Sequence, residues 1–312
     1  MIVYREFSSL STDLGFSRKA LYGVSYNTSR HYRPVSIPKG NGDFRQLHVP
    51  DDFLKAIQKQ IACKLLPLEE ISPYATAYRP GGSTKINAAI HIGKPVVVKL
   101  DIRHFFDHIL YSMVKEKAFP AERYSESNRI LLSILCVYND CLPQGAPTSP
   151  AISNIIMKDF DNAIGKWCVE RGINYTRYCD DMTFSGDFEP SSLISCVRTE
   201  LKKLGFFLND KKTTIVRQGQ RQQITGIVVN KKLDIPSDYK RKIRQEIYYC
   251  EKFGVPSHLE ITAPDKSEKE YLACLLGRIN YVLSVERQNS LFKRYKATVQ
   301  GFIKTLSEGD AS

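Results

Sequence analysis

The sequence predicts an α+β fold in which strands and helices alternate up to about residue 235, after which only helices follow. Residues 32 to 235 contain short β-prone runs separated by segments with an apolar residue at every third or fourth position. From Ser237 onward the pattern is helical throughout, and a capping box, Ser267-x-x-Glu270, precedes an apolar stripe. This order is typical of an α+β protein with a helical C-terminal module.

The length and the net charge of the chain restrict its size class and the kind of partner that it can bind. Its 312 residues can form a sizeable core and more than one subdomain, and its formal net charge is +12. The charge is uneven, because residues 201 to 312 contain 21 Lys and Arg against 12 Asp and Glu. A polyanionic partner such as a nucleic acid is therefore favoured over a small acidic metabolite, and the C-terminal third is its expected contact.

The cysteines and the lengths of the apolar runs indicate in which cellular compartment the protein is found. The eight cysteines are scattered, with no C-x-x-C pair and no histidine at zinc-ligand spacing. Most occupy apolar positions, as reduced cysteines of a cytosolic protein do. The N-terminus has no signal-peptide core, and no apolar run approaches about 18 residues. We therefore expect a soluble, cytoplasmic protein with no membrane partner.

Three carboxylates are predicted to meet on two neighbouring strands. Asp180 and Asp181 lie in a short turn between two β-prone runs, which indicates a hairpin tip. Asp101 ends a predicted buried strand over residues 95–101. Adjacent carboxylates repel each other, and a hard divalent cation is a common reason to place them together. The set matches the needs of two-metal phosphoryl transfer, although a surface turn can also carry such a pair.

These segments, in this order, resemble a reverse transcriptase of the retron type over about residues 32 to 235. The strand with Asp101 is similar to the first catalytic motif of that family. Residues 142 to 154 are similar to its template-and-nucleotide motif, and residues 178 to 181 to its metal-binding hairpin. The ordered set is far more specific than any one of these motifs.

Two further segments resemble the retron group in particular. Asn87-Ala88-x-x-His91 precedes the first catalytic motif, and Ile224-Thr225-Gly226 follows downstream with isoleucine where the group has valine. The hairpin also departs from the family pattern, because Cys179 stands where alanine is commoner. Both exchanges conserve size and are not expected to disturb a metal site.

The resemblance implies a right-hand polymerase with fingers, a ferredoxin-like antiparallel palm and a helical thumb. The fingers would comprise residues 1–94 and about 117–140, and the palm residues 95–116 and 141–235. Residues 236–312 would form the thumb and bind RNA.

The resemblance also implies the reaction and its partners. The activity would be RNA-directed DNA synthesis from dNTPs, with one structured noncoding RNA as template and primer. Priming from a guanosine 2′-hydroxyl would give a branched RNA–DNA product, msDNA. A separate effector protein in an antiphage defence system and a host RNase H that removes template RNA would be the other partners.

Catalytic roles follow from the same resemblance. Asp101, Asp180 and Asp181 would hold two Mg²⁺ ions, together with the backbone carbonyl of Ile102. Lys212 would protonate the leaving pyrophosphate, unless it is merely a solvent-facing lysine.

Nucleotide contacts are expected in three places. Lys39 and Arg45, on a basic hairpin predicted between residues 32 and 50, would meet the triphosphate. Phe106 would lie against the sugar and exclude a 2′-hydroxyl, with core packing as the alternative. Gln144 and Gly145 would form a tight turn beside the nucleotide and template.

RNA contacts are expected at the segment before the first catalytic motif and on the first thumb helix. Asn87 and His91 have a structural or RNA-contacting role in this interpretation. The basic cluster of the thumb helix comprises Lys240, Arg241, Lys242 and Arg244.

Other functions remain open at the level of sequence. A group II intron or diversity-generating reverse transcriptase is the alternative within the enzyme class, and an RNA-binding scaffold of a ribonucleoprotein is the alternative outside it. A nucleotidyl cyclase shares an acidic hairpin on a palm-like core, but the segments resembling primer and template motifs disfavour it.

Overall fold

A computed structural model describes residues 2–38, 42–262 and 264–309, so Lys39 lies outside the described part of the chain. In chain order the helices are α1 (Phe7–Leu14), α2 (Arg18–Ser25), α3 (Asp52–Gln60), α4 (Thr84–Ala89), α5 (Tyr111–Met113), α6 (Glu126–Cys136), α7 (Ser149–Ile156), α8 (Lys158–Val169), α9 (Pro190–Lys203), α10 (Ser237–Phe253), α11 (Val255–Thr262), α12 (Glu268–Val285) and α13 (Ser290–Gly309). The strands are β1 (Tyr32–Pro38), β2 (Phe44–Pro50), β3 (Val96–Asp101), β4 (Asn174–Tyr178), β5 (Asp181–Gly186), β6 (Thr214–Arg217), β7 (Gln223–Ile224) and β8 (Ile227–Val228).

The chain folds as two compact units. The first contains the residues up to Ser83 together with Pro95–Arg217, and the second contains Thr84–Lys94 and the residues from Gln218 onward. This grouping differs from the subdomain boundaries expected from the sequence in two places. Residues 84–94, expected in the fingers, belong to the second unit, and that unit resumes after Arg217 rather than after residue 235.

The first unit is built on a four-stranded sheet with the order β4-β5-β3-β6, in which every neighbouring pair is antiparallel. Numbered along the chain, these strands have the spatial order 2-3-1-4, with helices between the first and second and between the third and fourth. This is the ferredoxin-like arrangement. The predicted α+β class and antiparallel palm are confirmed.

The central position of β3 explains its composition. Val96, Val97 and Val98 are all buried, because β5 and β6 pair with its two edges and the sheet is covered on both faces. β-branched residues suit such a strand. Its register with β5 places Asp101 opposite Asp181, so both carboxylates lie at the same end of the sheet.

The predicted N-terminal hairpin is present as β1 and β2, which pair with Val35 opposite Leu47. The apolar residues 206–208 do not form a strand, and this segment makes only an isolated bridge from Leu208 to Ile102. This bridge brings the following residue, Asn209, within hydrogen-bond distance of Asp101.

The second unit is mainly helical. The capping box of α12 is confirmed, with Ser267 accepting from the Glu270 amide and Glu270 bonding back to the Ser267 amide. The helix α10 begins at Ser237 itself and has no side-chain cap, because Pro236 occupies the capping position. In the part of the chain that the structure describes, no helix is long and apolar enough to cross a lipid bilayer.

Gly165 on α8 gives a test of packing in the first unit. A Cβ at this position would lie 2.0 Å from Cε2 of Tyr74, inside van der Waals contact. We expect Gly165→Ala to lower the free energy of unfolding by about 1–3 kcal/mol, measured by urea denaturation. Gly23→Ala on α2 is the matched control, since its added methyl group would have no atom within 4 Å apart from its chain neighbours and the backbone of its own helix. Equal losses in the two variants would contradict this packing.

Candidate active site

The carboxylates predicted from the sequence meet at one end of the sheet. Asp101 and Asp181 are directly opposed on β3 and β5, and Asp180 occupies the turn between β4 and β5. The Ile102 amide donates to the Asp180 carbonyl over 3.1 Å, which ties the turn to the end of β3. Cys179 has a φ of 62°, so this turn needs a left-handed residue immediately before the acidic pair.

The surroundings of Asp181 disfavour its ionised form. The pKa of Asp181 is raised to about 6, first by partial removal from water and then by the negative charges of Asp180 and Asp101. Lys212 and Lys99 act in the opposite direction on the same group. The negative charge gathered at this end of the sheet would be stabilised by a bound cation.

Asp101 is held by two side chains from the segment after α9. Lys212 Nζ lies 2.7 Å from Asp101 Oδ2, and Asn209 Nδ2 donates to Asp101 Oδ1 over 3.0 Å. The Asn209 amide also donates to the Asp101 carbonyl over 2.8 Å. Burial lowers the pKa of Lys212, but its hydrogen bond to Asp101 and the nearby carboxylates outweigh burial and raise it. Asn209 was not predicted, because only the bridge between Leu208 and Ile102 brings it here.

The donor set fits a hard divalent cation. Carboxylate oxygens, supplemented by a main-chain carbonyl such as that of Ile102, are the ligands that Mg²⁺ prefers. Within the described residues no group of three His, Cys, Asp or Glu side chains converges as a preformed metal cluster. Asn209 donates to one oxygen of Asp101 and Lys212 to the other, so the carboxylate is oriented by an amide partner and a cationic partner.

Phe106 follows Asp101 in a 3₁₀ turn, Phe106–His108. Its ring is half-buried, and the ring centroid lies 5.4 Å from the centroid of the buried Phe105 ring. The two phenylalanines therefore differ in environment. Phe105 is the core residue of the pair, and Phe106 retains exposed surface close to the carboxylate end of β3.

The predicted turn at Gln144 and Gly145 lies against the hairpin. The His48 amide donates to the Gln144 carbonyl over 2.8 Å. Gly145 has a φ of 119°, and a Cβ there would lie 3.1 Å from the His48 carbonyl oxygen, so glycine permits the close approach. Arg45 is exposed on the same strand as His48. The hairpin and the turn thus form one connected surface of the first unit.

Asn87 and His91 lie inside the second unit. Their exposed fractions are 1% and 0%, and Asn87 Nδ2 lies 3.5 Å from Thr225 Oγ1. Burial lowers the pKa of His91 to about 3, with the Lys94 charge as a smaller cause. The expected RNA contact does not match this burial, because neither side chain has surface to offer a phosphate. The two segments resembling retron motifs, Asn87 to His91 and Ile224 to Gly226, instead meet each other.

The basic cluster on α10 divides into two parts. Lys240 is partly buried and pairs with Asp234 at 2.6 Å and with Glu286 at 2.9 Å. The sequence predicts an RNA contact for Lys240, but these two carboxylates already compensate its charge, so Lys240 is less suited to that contact than its neighbours. Arg241, Lys242 and Arg244 are exposed.

Comparison with known proteins agrees with this arrangement. Residues 37–229 match the family model described as reverse transcriptase (RNA-dependent DNA polymerase). The chain is 30% identical over 321 residues to the retron Mx65 reverse transcriptase of Myxococcus xanthus, covering 94% of this chain and 72% of that relative. It is also 30% identical over 297 residues to the retron Ec83 reverse transcriptase of Escherichia coli, covering 89% of this chain and 91% of that relative.

Among solved structures, a telomerase of Candida albicans is 12% identical, with a TM-score of 0.47 over 86% of this chain and 66% of that one. The family match covers most of the sheet and the hairpin, and the curated relatives align along nearly the whole chain. Both findings agree with the presence of three carboxylates at one end of the antiparallel sheet. The chain therefore belongs to the reverse transcriptase family, is of the retron type, and is an RNA-directed DNA polymerase.

Proposed function

We propose that this enzyme extends DNA along a structured noncoding RNA that serves as both template and primer, giving a branched RNA–DNA product. The observation that carries the polymerase chemistry is the acidic end of the sheet, where Asp101, Asp180 and Asp181 meet beside Lys212. The observation that supports the branched product is similarity to curated retron reverse transcriptases along most of the chain.

In this proposal the three aspartates and the Ile102 carbonyl hold two Mg²⁺ ions. Bound there, the ions lower the pKa of the attacking hydroxyl and neutralise charge on the triphosphate. Asn209 orients the Asp101 carboxylate. Lys212 reaches the edge of the acidic cluster and donates a proton to the leaving pyrophosphate.

Arg45 binds the triphosphate from the hairpin, and Lys39, outside the described residues, has the same role. The Gln144–Gly145 turn, held against His48, presents backbone groups to the nucleotide and template. We retain the proposed fingers, palm and thumb as functional subdomains. The partners in this proposal are the noncoding RNA, dNTPs, a separate effector protein of an antiphage defence system and host RNase H, all in the cytoplasm.

The test is to express the protein with the structured RNA encoded beside its gene and to isolate the DNA. We expect DNA that remains joined to RNA after heating and becomes linear on treatment with a 2′,5′-debranching enzyme. DNA that is already linear before debranching would contradict the branched product while leaving polymerase activity intact. A second reaction on an unrelated primer–template measures that activity independently.

Sugar selection provides a prediction at Phe106. We expect Phe106→Ala and Phe106→Val to raise ribonucleotide incorporation more than they lower deoxynucleotide incorporation. The reason is that the half-buried ring excludes a 2′-hydroxyl by its bulk. Single-nucleotide kinetics with dNTP and rNTP measure the ratio. Phe105→Val is the control, since its buried ring supports the fold. Unchanged selectivity in both Phe106 variants would assign that ring to packing.

RNA affinity gives a prediction for α10. Changing Arg241, Lys242 and Arg244 to Gln is expected to weaken RNA binding and to reduce the slope of log affinity against log salt by up to about 3, roughly one for each phosphate that is no longer neutralised. Titrations at several ionic strengths measure both quantities. A control that changes Lys166, Lys202 and Lys203 removes the same charge from α8 and α9. Equal slopes in the two triple variants would show that net charge alone, rather than α10, governs binding.

A further inference from the structure

Arg177, on β4, is a fully buried arginine three residues before Asp180. Its guanidinium makes a forked contact with Asp161 on α8, with Nε 2.8 Å from Oδ1 and Nη2 2.6 Å from Oδ2. Both side chains have 0% exposure. The Tyr175 hydroxyl also donates to Asp161 Oδ1 over 2.8 Å, so the carboxylate is held from two positions on β4.

The other donors of Arg177 reach the catalytic turn. Nη1 donates to the Cys179 carbonyl over 2.9 Å, and Nη2 donates to Asn154 Oδ1 over 3.2 Å. Cys179 is the residue with a φ of 62° that immediately precedes Asp180. The planar guanidinium therefore connects a carboxylate on α8 to the main chain of the turn that carries two of the catalytic acids.

The same arginine is linked to a second loop of the first unit. Asn154 Nδ2 donates to the Ala77 carbonyl over 2.8 Å. The Thr76 amide donates to the Arg177 carbonyl, and the Arg177 amide donates to the Tyr74 carbonyl, each over 2.8 Å. The segment from Tyr74 to Ala77 and the catalytic hairpin are thus fixed to one buried group.

Stability alone is a poor explanation for this pair. Removing two charges from water can cost as much as their attraction returns, and apolar pairs of similar size are often no less stable. An apolar pair cannot make directional hydrogen bonds. A guanidinium donates hydrogen bonds in a fixed plane, and a carbonyl in a left-handed turn can accept one of them. A hydrocarbon side chain has no donor for that carbonyl.

We propose that Arg177, oriented by Asp161, is a positioning residue that sets the conformation of the Cys179 turn and thereby places Asp180 and Asp181 relative to Asp101. The inference rests on the polymerase activity and is independent of the branched product. Without Arg177 the Cys179 carbonyl loses its donor, the strained turn relaxes, and the contact from the Ile102 amide to the Asp180 carbonyl weakens. Arg177 itself touches no reacting atom in this proposal.

The experiment compares three proteins with the parent. Arg177→Met combined with Asp161→Leu removes both charges and leaves no unpaired ion, whereas Arg177→Lys keeps the charge but loses the fork. Leu21→Ala on α2 is the stability control, because it opens a cavity in the same unit without touching the hairpin. Single-nucleotide incorporation gives kcat and the dNTP dissociation constant, and filter binding gives primer–template affinity.

A readout independent of catalysis is hydrogen exchange without metal or substrate, followed in peptides containing Ile102 and residues 178–182. We expect kcat to fall by about 10- to 100-fold in the double variant, with primer–template affinity within about twofold of the parent. Exchange should rise in those peptides and stay at the parent level elsewhere in the first unit. Arg177→Lys should show the same pattern to a smaller extent, and it decides the outcome if the double variant does not fold.

Two results would overturn the proposal. One is a folded double variant with the kcat and the hairpin exchange of the parent. The other is a loss of kcat no greater than that of Leu21→Ala when the two are compared at equal stability, which would make the pair structural only.

Discussion

Replacing Asp180 and Asp181 together by asparagine is expected to lower DNA synthesis by at least about 10³-fold while leaving RNA binding within about twofold. A metal-bound transition state gains several kcal/mol from charge that carboxylates hold in place, and about 4 kcal/mol corresponds to 10³-fold in rate. In the proposed function, RNA affinity instead comes from distributed basic side chains such as the exposed Arg241 and Arg244. Primer extension in Mg²⁺ and an RNA titration measure the two effects.

The fold of this variant should persist. Asparagine removes charges that repel Asp101, and the raised pKa of Asp181 shows that its ionised form is disfavoured in the folded protein. We therefore expect a urea midpoint at or above that of the parent at pH 7. Asp187→Asn, one strand length away beyond β5, is the matched acidic control and should retain activity. Extension by the double variant near the parent rate would refute the assignment of the active site.

Replacing Lys212 by alanine is expected to lower the rate of incorporation by about 10²- to 10⁴-fold, the range typical of a positioned proton donor. The ammonium group lies 2.7 Å from Asp101 Oδ2 at the edge of the acidic cluster, and its pKa is raised, so it is protonated at neutral pH. Because Lys212 is exposed on its other side, the loss should appear in kcat rather than in unfolding free energy. Pre-steady-state kinetics separate the chemical step from dNTP binding.

Lys211→Ala is the matched control for Lys212, since the neighbouring side chain is exposed and belongs to the same 3₁₀ turn. It should keep the parent rate. Lys212→Arg keeps the positive charge but is a much weaker acid, so its kcat should stay low while its dNTP affinity equals that of the parent. Parent-like kcat in Lys212→Ala would leave this lysine only its contact with Asp101.

Local sequence determined the elements whose signals are themselves local. The valine run predicted the buried strand β3, and the turn between two β-prone runs predicted the hairpin that carries Asp180 and Asp181. The capping box at Ser267 predicted the start of α12. These patterns depend on periodicity and capping within one segment, which is why they could be read without a structure.

Tertiary structure decided which of the predicted site residues are exposed to solvent and which partners bond to them. The basic cluster on α10 does not by itself reveal that Lys240 faces Asp234 and Glu286 while the other members of the cluster face water. Asn87 and His91 carry a retron resemblance, but only packing against the segment near Thr225 shows that both are buried. Each depends on contacts between residues far apart in the chain.

The sequence by itself predicted an α+β fold and the grouping of Asp101, Asp180 and Asp181 at one end of its sheet, because a strand end and a hairpin turn are both local patterns. It did not determine how those acids are held. Asn209 reaches Asp101 from 108 positions along the chain, and Arg177 meets Asp161 across a helix and a strand. Such pairing depends on sheet register and helix packing, which bring distant side chains into hydrogen-bond distance and which no single segment encodes.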